Sequence, residues 1–392
     1  MKVLVLGGAG AICSEATKDL SLTSNFSEIA IGEIDIKKAK ALAAELNDSR
    51  VSIVEINVEN TEKLINLMKD FDIIVNGLPF KYDEKVTEAA IVAKVNGLDV
   101  SGLQDLEKHN EEAKKAGIIY IPGVGATPGV TNLLAKYAAN NLDEVYEIQI
   151  SHAAYRSLAP SPGLLDTTLW EYDPTVKDRC YYENGKYIYV PPFSGGKIVE
   201  FPKPIGPQET YYIPHPELKT LPKSIKGVKK IEVRGTWPPK TMRIIKALYD
   251  FGFYKDDFIK IKDSLIKRRD FLYSYIREYL MQASEAKETE IWGYSLNVEV
   301  TGIKNKQFMK FKFVTSHPPM DKWGGKSAYA KNVGIPLSIG AQMLAEIIYK
   351  GTDLKGVLPP EQVFNPELFF IELAKRGIII HMKIEGEYAF KL

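Results

Sequence analysis

Cysteine and histidine are scarce in this sequence, which has two cysteines and five histidines among 392 residues. Cys13 and Cys180 are too few for a disulfide framework, and their surroundings do not have the spacing of a zinc site. His317 and His381 lack partners at ligand spacing, so no metal site is predicted. This cysteine usage is typical of a reducing compartment, and a cytoplasmic location is expected.

An excess of charge of either sign is also missing, because 51 Lys and Arg against 50 Asp and Glu leave a net charge of +1. Neither nucleic acid nor a membrane is therefore an expected partner. The longest uncharged run, 116–135, contains four glycines and two prolines and is too broken for a membrane helix. The first residues lack the apolar region of a secretory signal. A soluble protein of two domains is expected, since a domain usually has roughly 100–200 residues.

The first third of the chain alternates short apolar runs with helical segments. Residues 3–6 form an apolar run rich in valine and leucine, typical of a strand that is buried on both faces of a parallel sheet. The alternation predicts an α/β fold with a parallel sheet. Further strands are predicted over 28–32, 51–58, 71–76, 97–100 and 118–121.

The pattern changes near residue 148, where aromatic residues, proline and glycine become dense and an α+β domain is predicted. Asn184-Gly185 predicts a hairpin turn, because both residue types tolerate positive φ. Helices are predicted over 240–251, much of 256–286, 336–349 and 366–376. An antiparallel pair is predicted over 292–300 and 307–314, joined by 302–305.

The turn after the first predicted strand has the pattern of a dinucleotide-binding loop. Residues 8–13 fit G-x-G-x-x-G except at the last position, where Cys13 replaces glycine. Gly8 permits the tight turn and Gly10 lets the backbone approach a pyrophosphate. The pyrophosphate is expected at the start of the next helix, beside Ala11 and Ile12.

An acidic residue, Glu33, ends the second predicted strand, where a carboxylate can accept hydrogen bonds from the adenosine ribose. A carboxylate there repels a 2′-phosphate, so NAD is the expected cofactor. NADP stays open because Lys37 and Lys38 lie close to Glu33 in sequence. Asp35 is a second candidate for the ribose and, alternatively, the cap of the following helix.

Further cofactor contacts are expected at the carboxyl ends of the other strands, where ligands bind in open parallel sheets. Asn76 has an alternative role, since its side chain can also satisfy a turn. The candidates are Asn57, Val58, Asn76, Leu78, Pro79 and Ser101.

Longer motifs are more specific than the glycine turn: 5–10, 72–79, the Pro-Gly segment 123–135, and 334–336, 341–342 and 355–361 near the end. With these motifs the chain resembles, over nearly its whole length, the saccharopine dehydrogenase-like family of nicotinamide-dependent oxidoreductases. The resemblance implies a Rossmann-like domain, 1–125 plus 332–392, completed by C-terminal helices. It also implies an inserted α+β substrate and dimerisation domain, 126–331, and a homodimer.

The resemblance further implies NAD(P)-dependent hydride transfer at the CH–NH carbon of a lysine-derived amino acid, as in saccharopine dehydrogenases. Saccharopine reductases carry Asp before the Pro-Gly pair, where this chain has Thr127, and threonine cannot pair with an amine as an ion. Thr127 and Pro128 are instead predicted as N-cap and first helical residue. Lysine 6-dehydrogenase, a carboxynorspermidine-type dehydrogenase and a non-catalytic NAD-binding regulator therefore stay open as alternatives.

Hydride transfer at such a carbon needs a group that handles the proton of the nitrogen, and substrate carboxylates favour arginine. Segment 151–156 resembles the family's loop facing the nicotinamide. It offers His152 and Tyr155 as catalytic candidates and Arg156 as a carboxylate ligand. Each has a structural alternative: a satisfied strand histidine, a core tyrosine and a surface arginine. Further substrate-binding candidates are Thr127, Arg234 and Thr236.

Overall fold

The computed structural model describes residues 1–156, 161–282, 292–325 and 327–387. They form two compact units. The first unit holds Met1–Asn140 and Ala330–Ile380, and the second holds Asn141–Tyr329 and the segment that begins at His381.

Strands and helices alternate through residue 140, with two single 3₁₀ turns at Phe80–Tyr82 and Glu107–His109. The elements in chain order are β1 (Lys2–Leu6), α1 (Cys13–Thr23), β2 (Glu28–Glu33), α2 (Ile36–Leu46), β3 (Val51–Glu55), α3 (Thr61–Met68), β4 (Ile73–Asn76), α4 (Asp83–Ala93), β5 (Asn96–Asp99), α5 (Asn110–Ala116), β6 (Ile119–Ile121) and α6 (Val130–Asn140).

The rest of the chain builds the second unit and then returns to the first. The second unit contains β7 (Glu144–Tyr155), α7 (Pro162–Tyr172), β8 (Cys180–Glu183), β9 (Lys186–Tyr189), β10 (Lys197–Glu200), β11 (Pro207–Tyr212), α8 (Glu217–Ser224), β12 (Lys230–Thr236), α9 (Pro239–Asp250), β13 (Phe258–Ile261), β14 (Ser264–Lys267), α10 (Arg268–Gln282), β15 (Gly293–Lys304) and β16 (Gln307–Ser316). The last elements are α11 (Ser327–Lys350), β17 (Gly356–Val357), α12 (Pro360–Val363), α13 (Pro366–Lys375) and β18 (Ile379–Glu387).

The sheet of the first unit is parallel and has the strand order β17-β6-β5-β4-β1-β2-β3. This is the doubly wound Rossmann order, and it confirms the predicted α/β class. The strand order reverses beside β1, where Leu6 pairs with Gly32 of β2 on one side and Asn76 of β4 on the other. A crevice at the carboxyl ends of β1 and β4 is therefore the place where a ligand binds in such a sheet.

The C-terminal helices complete the first unit, as predicted, through contacts with α1. Gly334 of α11 lies against the start of α1, since an added Cβ would be 2.8 Å from both Ile12 O and Ala16 N. The buried Asp19 carboxylate of α1 accepts a hydrogen bond of 2.6 Å from Ser338 of α11. It also pairs with Arg376 at the end of α13, at 2.8 Å.

The second unit contains a mixed sheet with the strand order β10-β11-β12-β7-β15-β16-β18, beside which β8 pairs with β12 and β9. β12 and β7 are parallel, whereas β15 pairs with β7 in antiparallel register. The predicted hairpin at Asn184-Gly185 joins β8 and β9, with φ of 48° and 83°.

Three local predictions are wrong. The helix predicted over much of 256–286 begins only at Arg268, because residues 258–267 form the hairpin β13–β14, with Lys262 at φ 53° in its turn. The part of this predicted helix after residue 282 lies outside the described residues. β15 continues through a bulge at Gly302, and the turn is Asn305-Lys306, both with positive φ. α6 begins at Val130, two residues beyond Pro128, so Thr127 is not its N-cap.

The C-terminal helix predicted over 336–349 is longer than expected. α11 begins at Ser327, and Pro336 lies inside it.

Candidate functional site

The glycine turn of the first unit can be built only from glycines. Gly7 has φ of 69°, and its N–H donates to Gly32 O at 2.8 Å. A Cβ on Gly8 would lie 2.9 Å from Val5 O, and one on Gly10 would lie 2.9 Å from Gly7 O. The backbone after β1 therefore turns tightly and has no side chains at the two glycines, as a bound pyrophosphate requires.

Helix α1 starts directly after this turn. Its first turn receives no hydrogen bond from a capping side chain, and Ala11 before it is exposed. The Thr17 hydroxyl donates to Gly8 O at 2.8 Å and fixes the helix to the turn. The N–H groups and the positive end of the helix dipole fit the pyrophosphate of a dinucleotide, which Gly8, Gly10, Ala11 and Ile12 would hold.

Cys13, at the position of the missing third glycine, is accommodated by another glycine. A Cβ on Gly77, directly after β4, would overlap the Cys13 Sγ and lie 2.9 Å from its Cβ. Burial, and then the nearby Glu33 carboxylate, raises the pKa of the Cys13 thiol to about 12. The thiol therefore fills a packing site between α1 and β4 and stays protonated.

The two acids after β2 have different surroundings. Glu33 ends β2, half-exposed, and its Oε1 accepts from the N–H of Ile34 at 2.9 Å. Asp35 caps α2, since its Oδ1 accepts from the N–H groups of Lys37 and Lys38 at 3.2 and 3.3 Å. Glu33 is therefore the better placed carboxylate for a ribose, and Asp35 has a structural role.

Among the strand-end candidates, Asn57 is exposed and accepts from the N–H of Glu59 at 3.0 Å, whereas Val58 is buried in the core. Asn76 is fully buried, and its amide donates to Asp83 Oδ1 at 3.0 Å and accepts from the N–H of Leu78. It therefore shapes the turn that presents the half-exposed Leu78 and the exposed Pro79. Ser101 is half-exposed and donates its hydroxyl proton to Asp83.

The buried carboxyl groups of Asp99 and Asp83 hold the loops at the carboxyl ends of these strands. Asp99 Oδ1 accepts from the N–H groups of Ser101, Gly102 and Gly123 at 2.9, 2.7 and 3.1 Å. Burial raises the pKa of Asp99 to about 6. Burial, and then the charge of Asp99, raises the pKa of Asp83 well above its usual value. They fix the loops beside Asn76 and Ser101, and sequence reasoning assigned no role to Asp83.

In the second unit, the alternation of β7 separates the candidates of segment 151–156. His152 lies beside Gly235 of β12, so close that a Cβ on Gly235 would be 2.7 Å from His152 Nε2. Tyr155 lies on the other face, packed with Ala153, Val199 and Phe201, and burial raises its pKa to about 12. Successive side chains of a strand point to opposite faces, so His152 and Tyr155 are not brought together.

His152 lies in an aromatic environment in which no described residue hydrogen-bonds to either ring nitrogen. Its ring stacks on Tyr294 with centroids 5.6 Å apart, and Trp237 meets it edge-on at 5.4 Å. Burial, and then the charge of His215, lowers the pKa of His152 to about 3. Protonating the ring at pH 7 costs about 5 kcal/mol, so the imidazole is neutral. One of its ring nitrogens can then donate a hydrogen bond and the other can accept one.

Arg156 is buried, not a surface arginine, and lies on the side of His152. Its guanidinium lies over the ring of Tyr329 at 5.0 Å and that of Trp237 at 6.0 Å. Nη2 donates to the Thr168 hydroxyl of α7 at 2.7 Å. A buried guanidinium beside a neutral imidazole is a combination that suits a substrate with a carboxylate and a nitrogen.

Glutamates near these residues were missed by sequence reasoning. Glu217, fully buried at the start of α8, pairs with His215 Nδ1, and the ring of His215 lies 5.9 Å from that of His152. Glu171, near the end of α7, is 4% exposed, and its Oε2 has no hydrogen-bond partner among the described residues. The signal for Glu171 was a charged residue between Trp170 and Tyr172, at the aromatic end of the helix.

We call this group the His152 cluster. Its members share one side of the β7–β12 sheet and the helices over it: His152, Arg156, Thr168, Glu171, Tyr172, His215, Glu217, Trp237, Tyr294 and Tyr329.

The other substrate-binding candidates lie elsewhere. Arg234 is on the opposite face of β12, where it pairs with Glu232 at 3.1 Å and lies 3.9 Å above the Tyr212 ring. The Thr236 hydroxyl donates to Trp237 O at 3.3 Å. Thr127 belongs to the first unit, in the loop before α6. The structure thus brings together only His152 and Arg156 of the proposed substrate residues.

One group of side chains in the first unit has the proximity of metal ligands. Ligand atoms of Glu84, Glu88 and His109 lie within 4.8 Å of one another. His109 also pairs with Glu112 at 2.8 Å, and Glu84 pairs with Lys108. These ion pairs account for the cluster without a metal.

Among the described helices, none has both the length and the hydropathy needed to span a bilayer.

The fold and the glycine turn are those of a dinucleotide-binding protein. Residues 3–121 match the family model for the saccharopine dehydrogenase NADP binding domain, and residues 125–378 match that for the saccharopine dehydrogenase C-terminal domain. The chain belongs to the saccharopine dehydrogenase family, as the sequence motifs predicted. It is an NAD(P)-dependent oxidoreductase of the class that acts on CH–NH donors.

Among curated relatives, carboxyaminopropylagmatine dehydrogenase of Synechocystis is 22% identical, and the match covers 99% of both chains. Carboxynorspermidine synthase of Vibrio alginolyticus is 26% identical over 53% of this chain and 54% of its own length. The structure of saccharopine dehydrogenase (L-Glu forming) from Saccharomyces cerevisiae has a TM-score of 0.73 at 17% identity, covering 98% of this chain and 99% of that one. That structural likeness confirms the fold.

Proposed function

We propose that this protein oxidises or reduces the CH–NH carbon of a secondary amine that carries an amino-acid group. The observation that carries the proposal is the buried pair of Arg156 and the neutral His152 in the second unit. The bound nicotinamide would supply or accept the hydride. The protein's own residues would bind the substrate carboxylate, orient the nitrogen and exclude water.

Arg156 would bind the carboxylate. Its guanidinium is held by the Thr168 hydroxyl and by Leu164 O, at 2.7 and 3.3 Å, and by the face of Tyr329. A planar guanidinium fixed in this way binds a carboxylate in two parallel hydrogen bonds, and it does so more strongly when water is excluded. This would fix the distance between the carboxylate and the reacting carbon.

His152 would hydrogen-bond to the substrate nitrogen. Because burial keeps the imidazole neutral, one ring nitrogen can accept a hydrogen bond from an N–H group of the amine. Tyr294 and Trp237 hold the ring on two sides, and Gly235 leaves room for it. Tyr155 cannot share this role, since it packs on the opposite face.

The relatives support a carboxylated polyamine as the first substrate to test. One relative that aligns over 99% of this chain is a carboxyaminopropylagmatine dehydrogenase, and another, over 53%, is a carboxynorspermidine synthase. Saccharopine is the second candidate, favoured by the family models and by the yeast structure. Thr127 argues against it, because threonine replaces the aspartate that saccharopine reductases carry before Pro-Gly.

The test follows absorbance of the reduced nicotinamide with purified protein, NAD or NADP, and carboxyaminopropylagmatine, carboxynorspermidine, saccharopine or L-lysine. We expect turnover of at least one secondary amine, and Arg156→Gln to raise its KM strongly while cofactor binding is unchanged. Bound cofactor without turnover of any of the four substrates would contradict the proposal and favour a non-catalytic regulator.

A further inference from the structure

We propose that the Glu171 carboxylate is the counter-ion for a cationic nitrogen on the substrate, at the end away from the carboxylate that Arg156 binds. The substrate would then be a carboxylated polyamine, whose far end carries an ammonium or guanidinium group and no carboxylate, and not saccharopine, in which each end carries at least one carboxylate. This inference rests on the proposed function.

Glu171 lies on the side of α7 that contacts Arg156. Leu164, Thr168 and Glu171 follow one another at helical spacing, and the first two contact the Arg156 guanidinium. Glu171 therefore continues the stripe of α7 that faces Arg156, one turn beyond Thr168. It lies on a rigid helix, as a residue that sets specificity should.

A carboxylate oxygen that is buried without a hydrogen bond costs free energy. Glu171 is 4% exposed, and its Oε2 accepts no hydrogen bond among the described residues. Arg179 donates to the backbone carbonyl of Glu171, at 2.6 Å, and not to this oxygen. Buried polar groups are nearly always hydrogen-bonded, since an unpaired one costs about 1–3 kcal/mol and a charged one more. A site that binds a cation explains why the protein tolerates this cost.

The charges that face Glu171 come from two arginines. Arg156 and Arg179 lie near enough to favour its ionised form, but burial outweighs them and raises the pKa of Glu171 well above its usual value. Within the part of the chain that the structure describes, the Arg179 guanidinium donates only to the backbone carbonyls of Glu171 and Asp173. A ligand cation would restore the ionised carboxylate. A substrate carboxylate beside that cation would repel the ionised Glu171 and would offset the gain, so a cationic end without a carboxylate is favoured.

Neighbouring groups suit an extended aliphatic amine. The rings of Trp237 and Tyr294 lie against His152, that of Tyr172 lies against Trp237, and all three are buried. Aromatic faces pack against methylene groups and attract cations. The buried Glu217, paired with His215, belongs to the same cluster.

The decisive variant is Glu171→Gln, because glutamine has the shape of a protonated glutamate and lacks its charge. We expect KM for carboxyaminopropylagmatine and carboxynorspermidine to rise 10-fold or more, with kcat changed much less. KM for saccharopine should fall or stay the same. Glu183→Gln, on the hairpin β8–β9, is the matched control and should change none of these constants.

The pH profile gives a second readout. A cation needs the ionised carboxylate, so KM for the polyamine substrates should fall as pH rises through the raised pKa of Glu171. This dependence should vanish in Glu171→Gln and persist in Glu171→Asp. A glutamate with only a structural role would leave both the KM values and their pH profile unchanged in Glu171→Gln.

The outcomes separate this inference from the proposed function. If the wild type turns over no secondary amine, the proposed function fails. If it turns over carboxyaminopropylagmatine and Glu171→Gln leaves that KM unchanged, only the counter-ion assignment fails. An equal rise in KM for all substrates, saccharopine included, would place Glu171 at the shared amino-acid end and would also overturn it.

Discussion

The contact between Cys13 and Gly77 allows the sharpest test of how this chain replaces the third glycine of the dinucleotide motif. We expect Gly77→Ala to destabilise the first unit severely, because the new methyl group would overlap the Cys13 Sγ and approach its Cβ to 2.9 Å. Overpacking of this kind costs about 1–3 kcal/mol. For a unit of this size, that lowers the melting temperature by roughly 2–4 °C per kcal/mol.

The same overlap predicts a rescue. Cys13→Gly removes both atoms that the new methyl group meets and restores the glycine motif, at a cost of about 1 kcal/mol for glycine in a helix. In that background Gly77→Ala should cost little, so the two changes should show a coupling energy of about 1–3 kcal/mol.

The assay is a double-mutant cycle measured by thermal unfolding, with cofactor affinity as a second readout. Gly196→Ala is the control, because its new Cβ would meet the flexible end of Glu209 at 3.2 Å. An equal cost of Gly77→Ala in the presence and absence of the Cys13 side chain would refute the reasoning.

Three further predictions concern the cofactor, the cluster and pH. Glu33→Ala should weaken NAD more than NADP in fluorescence titrations, since the carboxylate binds ribose hydroxyls and repels a 2′-phosphate; equal losses would exclude this role. Gly235→Ala should displace the His152 ring, which its Cβ would approach to 2.7 Å, and lower kcat/KM at least 10-fold with the cofactor affinity intact; unchanged kinetics would place His152 outside the site. Burial lowers the pKa of His109, but its hydrogen bonds, of which that to Glu112 is the strongest, outweigh burial and raise the pKa overall. The protonated ring therefore stabilises the fold below about pH 6.5, and this stabilisation is lost as pH rises through the raised pKa. The melting temperature of His109→Gln should therefore fall below that of the wild type at pH 6 and approach it at pH 9, and a constant difference would contradict the assignment.

Local chemistry determined the part of the fold that could be predicted. The glycine turn, the acid at the end of β2 and the Asn184-Gly185 hairpin each depend on a few adjacent residues, whose backbone preferences fix the conformation. The motifs around the Pro-Gly segment carried the family, which the two family models confirm. Segment 258–267 was misjudged because its hairpin depends on a positive φ at Lys262, a residue type that does not signal a turn.

The substrate residues depended on position within the sheet. His152, Tyr155 and Arg156 are neighbours in sequence, but the strand sends His152 and Tyr155 to opposite faces. Strand alternation could have separated them. The parallel pairing of β7 with β12, however, determined which face of the sheet carries the His152 cluster.

The sequence by itself determined the dinucleotide fold and the family, because those signals are local motifs and the periodicity of buried side chains. Only the tertiary structure decided that Cys13 fits against Gly77, that burial makes His152 neutral, and that the Oε2 of Glu171 has no hydrogen-bond partner among the described residues. These properties arise from desolvation and from contacts between residues far apart in the chain. No local pattern encodes them, since the energy of a buried charge depends on every group that surrounds it.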